Sequence, residues 1–286
     1  MENNRTLDSH TILYGVFGDP IRHSRSPIML NRAFREAGMN AAYAAFHVSP
    51  QGLGDAVRGI RALGYRGINV TIPHKVEVMQ YLDEIDEGAQ VIGAVNTIVN
   101  ENGRLIGYNT DGIGYVRSLK EETGIALQGK AVLLLGAGGA ARGVAYALAK
   151  EGAARIYIAN RTKERAVELA QTIQAYTQAA GLGLNEVEQV AGDVSLIVNT
   201  TSAGMHPHVD ELPMPGGLLS DKHLVSDLIY NPRITRFLRE AEAGGARIHG
   251  GLGMFIYQGA YAFEYWTGTP APVTAMRQVV EQSLAE

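Results

Sequence analysis

Residues 130–142 read K-A-V-L-L-L-G-A-G-G-A-A-R, and few folds accommodate that run. Ala131 to Leu135 is unbroken apolar sequence with no polar alternation, the pattern of a parallel strand buried on both faces. Gly136, Gly138 and Ala141 then fall at G-x-G-x-x-G/A spacing. That spacing supplies a tight turn, a side-chain-free approach for a pyrophosphate, and close contact between strand and following helix. Ala141 to Lys150 is alanine-rich and helix-forming, so its first N–H groups and the positive end of its dipole would face the phosphates. The expectation is a dinucleotide site on a doubly wound parallel sheet, an α/β fold.

A second strand, Arg155 to Ala159, ends in Asn160-Arg161-Thr162, where a ribose-recognition residue belongs. NAD sites usually place Asp or Glu there to hold the free 2′-hydroxyl, and a carboxylate would repel a 2′-phosphate. This chain has none. Arg161 offers a planar fork suited to phosphate, Asn160 and Thr162 are neutral donors, and Arg165 lies one turn along the next helix. The cofactor reads as NADP. Capping of that helix, by Thr162 above all, is the alternative role for the same residues.

At 286 residues the chain has length for about two domains. No apolar run approaches the ~20 residues of a membrane span, and Met1 to His10 is polar, unlike a signal sequence. A cytoplasmic location is expected. Cysteine is absent, which excludes disulfides, thiolate metal sites and a cysteine nucleophile. The 25 basic and 29 acidic residues form no block of like charge, so neither nucleic acid nor a membrane is an expected partner. The eight histidines show no H-E-x-x-H or comparable spacing, and no metal is expected.

Read in order, Ile12 to Phe17 is a strand leading to the turn cluster Gly18-Asp19-Pro20. Ser26-Pro27 predicts a helix start, with serine at the N-cap and a run to Ala37 stopped by Gly38. Ser24 lies ahead of that cap, and its hydroxyl could turn toward a ligand. Ala42 to Val48, Leu53 to Leu63 and Gly67 to Ile72 continue as strand, helix and strand. Pro73 then predicts a helix with Lys75 in its first turn, where the dipole disfavours a cation. Lys75 is either a solvated surface lysine or an ammonium placed to exchange a proton.

Ile98-Val99 and Leu105-Ile106 form a hairpin around Asn102-Gly103. Asn109-Thr110-Asp111-Gly112 reads locally as a turn, although Asp111 also stands at the crossing into the nucleotide-binding half, where its carboxylate could face a lysine. The third strand of the second sheet is expected within Asn185 to Val190, followed by strands at Val194 to Asn199, Val225 to Ile229 and Arg247 to His249. Ligands of open α/β sheets lie beyond the carboxyl ends of the strands, which puts Thr200, Ser202, Leu228 and Tyr230 near the nicotinamide, with ordinary loop roles as the alternative. Leu252 to Trp266 is a helix whose Gln258 shares a face with Met254, Tyr261 and Tyr265. Met276 to Leu284 is the last helix.

Together, Ser24-Arg25-Ser26, N-V-T-I-P-H-K at 69–75, G-A-V-N-T at 93–97, N-T-D-G at 109–112, G-A-G-G-A-A, Asn160-Arg161-Thr162 and the closing 250–258 segment resemble the shikimate dehydrogenase family. The motifs stand in the family's order with similar spacing, and nothing clearly departs from the pattern. The resemblance implies a substrate domain of residues 1–112 and 252–286, and an NADP-binding Rossmann domain of residues 113–251. It also implies NADP-dependent interconversion of 3-dehydroshikimate and shikimate, in aromatic amino-acid and chorismate biosynthesis.

By matching position it makes Lys75 and Asp111 the catalytic pair. Ser24, Ser26, Thr71, Lys75, Asn96, Asp111, Tyr230 and Gln258 become substrate residues. Glu87, Gly136, Ala137, Gly138, Gly139, Ala140, Asn160, Arg161, Thr162, Arg165, Leu228 and Gly251 become cofactor residues. The small-molecule substrate is the expected partner, and a homodimer is left open.

Overall fold

The computed structural model describes residues 7–285, which divide into two compact units, Met1–Thr110 with Gln258–Glu286, and Asp111–Tyr257. The second boundary falls inside a continuous helix, six residues beyond the expected 252, and the first falls where a helix begins at Asp111.

In the first unit, β1 (Ile12–Gly18), β2 (Ala41–His47) and β3 (Gly67–Val70) pair in parallel. Helices α1 (Ser26–Glu36) and α2 (Leu53–Ala62) connect them, as a βαβ rhythm requires. The two-residue β4 (Glu84–Ile85) and helix α3 (Glu87–Ile92) precede the hairpin of β5 (Thr97–Glu101) and β6 (Arg104–Tyr108). Asn102 and Gly103 both take positive φ, 53° and 96°, as a tight hairpin turn demands. The sheet order is β2-β1-β3-β5-β6-β4, antiparallel at β3/β5 and β5/β6.

The second unit opens with α4 (Asp111–Thr123) and carries an all-parallel sheet of β7 (Ala131–Leu135), β8 (Arg155–Asn160), β9 (Gln178–Gly183), β10 (Leu196–Asn199), β11 (Leu224–Asp227) and β12 (Arg247–His249). Helices α5 (Gly139–Lys150), α6 (Lys163–Ile173), the single turn α7 (Glu188–Ala191) and α8 (Arg236–Ala243) link the strands. The order β12-β11-β10-β7-β8-β9 reverses direction between β7 and β10, the crevice where doubly wound sheets hold dinucleotides. Leu133 and Leu135 pack into one apolar cluster and Val132 and Leu134 into another, so the sheet is covered on both faces. Helices α9 (Leu252–Thr267) and α10 (Val273–Ala285) close the chain, and α10 packs on α1. Among the described residues, no helix is long and apolar enough to cross a membrane.

Four local expectations are corrected. The third strand of the second sheet is β9 at 178–183, not 185–190, where the chain makes a short 3-10 turn and then α7. Q-A-A-G-L-G lacks the β-branched and aromatic residues that mark strands. It pairs because its small side chains admit α6: a Cβ at Gly181 would overlap the backbone of Ala166 and Val167.

Pro73 opens no helix. His74 N donates to Thr71 O, closing a turn, and the buried His74 ring is held 2.6 Å from Val48 O, so helical geometry begins only with the 3-10 segment Glu77–Tyr81. Arg25, not Ser26, is the N-cap of α1, and the hydroxyl at this helix start belongs to Ser24, which accepts from Ser26 N at 3.3 Å. Asp111 is no mid-turn residue but the first residue of α4, where a carboxylate meets the positive end of the dipole.

Candidate active site

The second unit carries the expected nucleotide residues. Gly136 follows β7 with φ of +111°, its N–H donates to Ala159 O, and a Cβ would come 2.6 Å from Thr200 Oγ1. Only glycine fits that turn. By contrast, a Cβ at Gly138 or Gly139 would meet nothing within 4 Å. Gly138 is the N-cap of the 12-residue α5 and supplies no side-chain acceptor, and it and Gly139 are exposed between half-buried Ala137 and Ala140, so the start of the helix is uncapped and has room beside it. An anion bound by backbone N–H groups needs that arrangement, and a dinucleotide pyrophosphate fits it.

Asn160 ends β8 and donates through Nδ2 to Thr162 O at 2.9 Å, while Arg161, Thr162 and Arg165 are exposed. Thr162 occupies the N-cap position of α6 but makes no side-chain capping bond, so capping does not use its hydroxyl. Two neighbouring cations are neutralised: Arg142 pairs with Glu168 at 2.9 Å and Lys163 with Glu186 at 2.7 Å. Arg161 and Arg165 take no carboxylate partner among the described residues. Arg161→Ala is therefore expected to raise the KM for NADPH on the order of tenfold, the value of a charge-assisted hydrogen bond, while leaving the KM for NADH within twofold. Steady-state kinetics with both cofactors checks it.

At the far end of the sheet, Gly251 lies so close to Leu228 that a Cβ would overlap the Leu228 carbonyl, and Gly251 N donates to Ile229 O at 3.2 Å. Two expected cofactor residues, distant in sequence, are thus in contact. Tyr230 stacks on Phe255 with ring centroids 5.0 Å apart. Beneath these loops lies Asp227, which sequence reading missed, at 0% exposure. Its Oδ1 accepts from Asn199 Nδ2 at 3.1 Å and Ile229 N at 3.0 Å, and its Oδ2 from Thr235 Oγ1 at 2.7 Å. Asn199 Oδ1 in turn accepts from Thr201 N and Oγ1, so one carboxylate ties the loop after β10 to the loop after β11. Burial pushes the Asp227 carboxyl up to about 6, against the pull of those donors. Ser202 is exposed, and Thr200 Oγ1 donates back to Leu135 O at 2.8 Å.

The first unit carries most of the expected substrate residues. Thr71 leaves β3 with its N–H on Phe17 O and a half-buried side chain. Lys75, also half-buried, is held through its backbone, its carbonyl accepting from Val95 N at 2.8 Å, which puts the 69–75 and 93–97 motifs side by side. Asn96 is 3% exposed. Ser26 donates its N–H to Ser24 Oγ, and the nearby Tyr43 hydroxyl, whose pKa burial drives well above the usual tyrosine range, donates to Asn69 Oδ1 at 2.7 Å. Gln258 is half-buried on α9, next to Gly259, which lies against Met29 of α1. Glu87 is exposed at the start of α3, in the first unit, apart from the other cofactor residues in the chain's division.

Asn69, Thr97 and Thr110, uncharged polar residues among apolar neighbours, are buried here as well. A lone Asn inside G-I-N-V was the available signal for them. No cluster of three or more His, Cys, Asp or Glu among the described residues is arranged to hold a metal.

A family model described as the shikimate dehydrogenase substrate binding domain matches residues 16–98. One for shikimate / quinate 5-dehydrogenase matches 118–214, and the shikimate 5′-dehydrogenase C-terminal domain matches 251–281. The shikimate dehydrogenase (NADP(+)) of Geobacillus sp. (strain WCH70) is 51% identical over 272 residues, covering 95% of this chain and 98% of that protein. The chain belongs to the shikimate dehydrogenase family. Two solved members of the family share its architecture. A crystal structure of a shikimate dehydrogenase in complex with NADP+ superposes with a TM-score of 0.91 at 44% identity, over 98% of both chains. The Listeria monocytogenes shikimate 5-dehydrogenase in complex with shikimate and NAD gives 0.92 at 38%, over 96% of this chain and 98% of that one.

Proposed function

We propose that this protein is an NADP-dependent shikimate dehydrogenase that interconverts 3-dehydroshikimate and shikimate, a step of aromatic amino-acid biosynthesis. The observation that carries the reading is the 51% identity to a shikimate dehydrogenase (NADP(+)) over nearly the whole of both chains. The open N-terminus of α5 and the uncompensated Arg161 and Arg165 support the cofactor part.

Gly136 to Ala140 would hold the pyrophosphate, Asn160, Arg161, Thr162 and Arg165 the 2′-phosphate end, and Leu228 and Gly251 the nicotinamide end, with Glu87 a further contact. The bound cofactor supplies or removes the hydride. As the keto carbon of 3-dehydroshikimate is reduced, negative charge grows on its oxygen, and a preorganised cation with a proton to give lowers that barrier. Lys75 fills that role. Asp111 would accept from the reacting hydroxyl and hold it aligned for the transfer. Ser24, Ser26, Thr71, Asn96, Tyr230 and Gln258 orient the ring through its hydroxyls and carboxylate.

The same reading makes the enzyme cytoplasmic, and light scattering at twice the chain mass would establish a homodimer. The deciding assay follows loss of NADPH absorbance with 3-dehydroshikimate, repeated with NADH, and the reverse reaction with shikimate and with quinate. NADPH with 3-dehydroshikimate is expected to give the highest kcat/KM. A protein that binds NADP+ without turnover, or prefers quinate with NAD+, would contradict the assignment.

A further inference from the structure

Residues 71–76 carry two of the proposed site residues, Thr71 and Lys75, on a stretch that is neither strand nor helix. Among its side chains that of His74 alone is buried, at 1% exposure. Ile72, Pro73 and Val76 are exposed, and Thr71 and Lys75 are half-buried. The buried group is polar rather than apolar, so it holds the turn by a directed bond. His74 Nε2 lies 2.6 Å from Val48 O, and a carbonyl can only accept, so Nε2 carries the proton. Val48 is itself buried just past β2, and its N–H donates to Gly18 O at the end of β1. The imidazole thus ties the turn to the ends of both strands.

Backbone bonds fix the entry and the exit of this stretch. Thr71 N donates to Phe17 O at 2.9 Å, Asp19 N to Ile72 O at 3.0 Å, and Val95 N to Lys75 O at 2.8 Å. In between, His74 N bonds Thr71 O and His74 O bonds Val78 N, both within the same run of chain. The ring supplies the tie from the middle of the turn to the rest of the unit. Lys75 therefore stands between two fixed points, the His74 side chain before it and its own carbonyl after it.

We propose that His74 is a positioning residue, whose imidazole, as a hydrogen-bond donor to Val48 O, fixes the backbone of Lys75 and hence the reach of its ammonium to the reacting oxygen. This rests on the shikimate reading, with Lys75 as the proton donor. His74 itself touches neither substrate nor cofactor in this scheme. A proton added at Nδ1 leaves Nε2–H on Val48 O, so the tie does not depend on the charge of the ring. Glutamine offers an amide donor at the same reach, whereas phenylalanine keeps the ring and has no donor.

Single-turnover reduction of 3-dehydroshikimate with the full chain in excess, read by NADPH absorbance, tests it, with calorimetric NADP+ binding and Tm as controls. His74→Phe is expected to slow the reaction on the order of tenfold to hundredfold, the cost of misplacing a reacting group by up to about 1 Å, and to leave NADP+ binding unchanged. His74→Gln recovers most of the rate. In a Lys75→Ala background His74→Phe adds less than twofold, because its effect passes through Lys75. A residue that served the fold alone would slow both backgrounds alike.

The proposal is overturned if His74→Phe reacts like wild type, if His74→Gln is as slow as His74→Phe, or if the loss is undiminished in the Lys75→Ala background. If His74→Phe does not fold, His74→Asn, whose amide is one methylene shorter than that of glutamine and falls short of Val48 O, takes its place and the same ratios decide. Wild-type protein that binds NADP+ without reducing 3-dehydroshikimate would instead defeat the proposed function itself.

Discussion

Lys75→Ala is expected to lower kcat for 3-dehydroshikimate reduction by about 10²- to 10⁴-fold, the range that general acid–base catalysis supplies, with the KM for NADPH changed less than twofold. The fold should survive. Lys75 holds its place through its carbonyl, which accepts from Val95 N, and alanine keeps that bond. Ile72 and Val76 nearby are 72% and 64% exposed, so the side chains on either side of Lys75 at these positions contribute no core packing. His74 is the residue that anchors it, on Val48 O.

Lys75→Arg separates charge from proton delivery. The guanidinium keeps the positive charge but does not give up its proton near neutrality. If Lys75 delivers the proton, arginine is nearly as damaging as alanine; if its charge alone matters, arginine recovers most of the rate. Stopped-flow hydride transfer with NADPH, read by absorbance for both variants, gives the comparison. An alanine variant within tenfold of wild type would remove Lys75 from the mechanism.

Legibility in the sequence followed how local the determining interaction is. The β7–turn–α5 unit was readable because burial on both faces, a positive-φ glycine and an uncapped helix start are properties of consecutive residues. Strand β9 was not, because what makes Gln178–Gly183 a strand is the fit of Gly181 beneath α6, a contact with no mark in the strand itself. Pro73 was misread for a similar reason: the turn depends on a histidine ring reaching a carbonyl 26 residues away. Family resemblance supplied Lys75, Asp111 and Asn96 as site residues. It did not supply Thr97, Asn69 or Asp227, whose significance lies in which partner each faces. A polar residue in an apolar strand says only that a partner exists.

Asp227 gives the second large effect, and it acts on stability against pH. Its carboxyl titrates at about 6 in the folded protein, against 3.8 for an unperturbed aspartate, because it is fully buried. Between those two pH values the folded state holds a proton that the unfolded chain has released. Stability from this group is thus present in full below about pH 4 and is lost as pH rises through 6. The loss at neutral pH is about 3 kcal/mol, taking 1.36 kcal/mol for each unit of displacement.

Asp227→Asn removes that titration while keeping the shape. The asparagine Oδ1 can still accept from Asn199 and Ile229, and its Nδ2 can donate to the Thr235 hydroxyl, whose oxygen already accepts from Leu238 N at 3.3 Å. Urea unfolding of both proteins from pH 4.5 to 8 should show the variant gaining on wild type by about 2 kcal/mol, with most of the gain appearing between pH 4.5 and 6.5 and the remaining ~1 kcal/mol lying below pH 4.5. A difference that stays flat across that range would mean the carboxylate is as well solvated by Asn199, Ile229 and Thr235 as by water. Thr235→Val should act in the opposite direction at pH 8, since it strips Oδ2 of its donor and leaves a buried charge short of a partner. The charge is retained at neutral pH because three donors from two loops converge on it. Protonation at Oδ2 would leave Oδ1 to Asn199 and Ile229 and turn the Thr235 hydroxyl from donor to acceptor, so the link between the loops where the nicotinamide end of the cofactor is proposed to bind persists in either charge state.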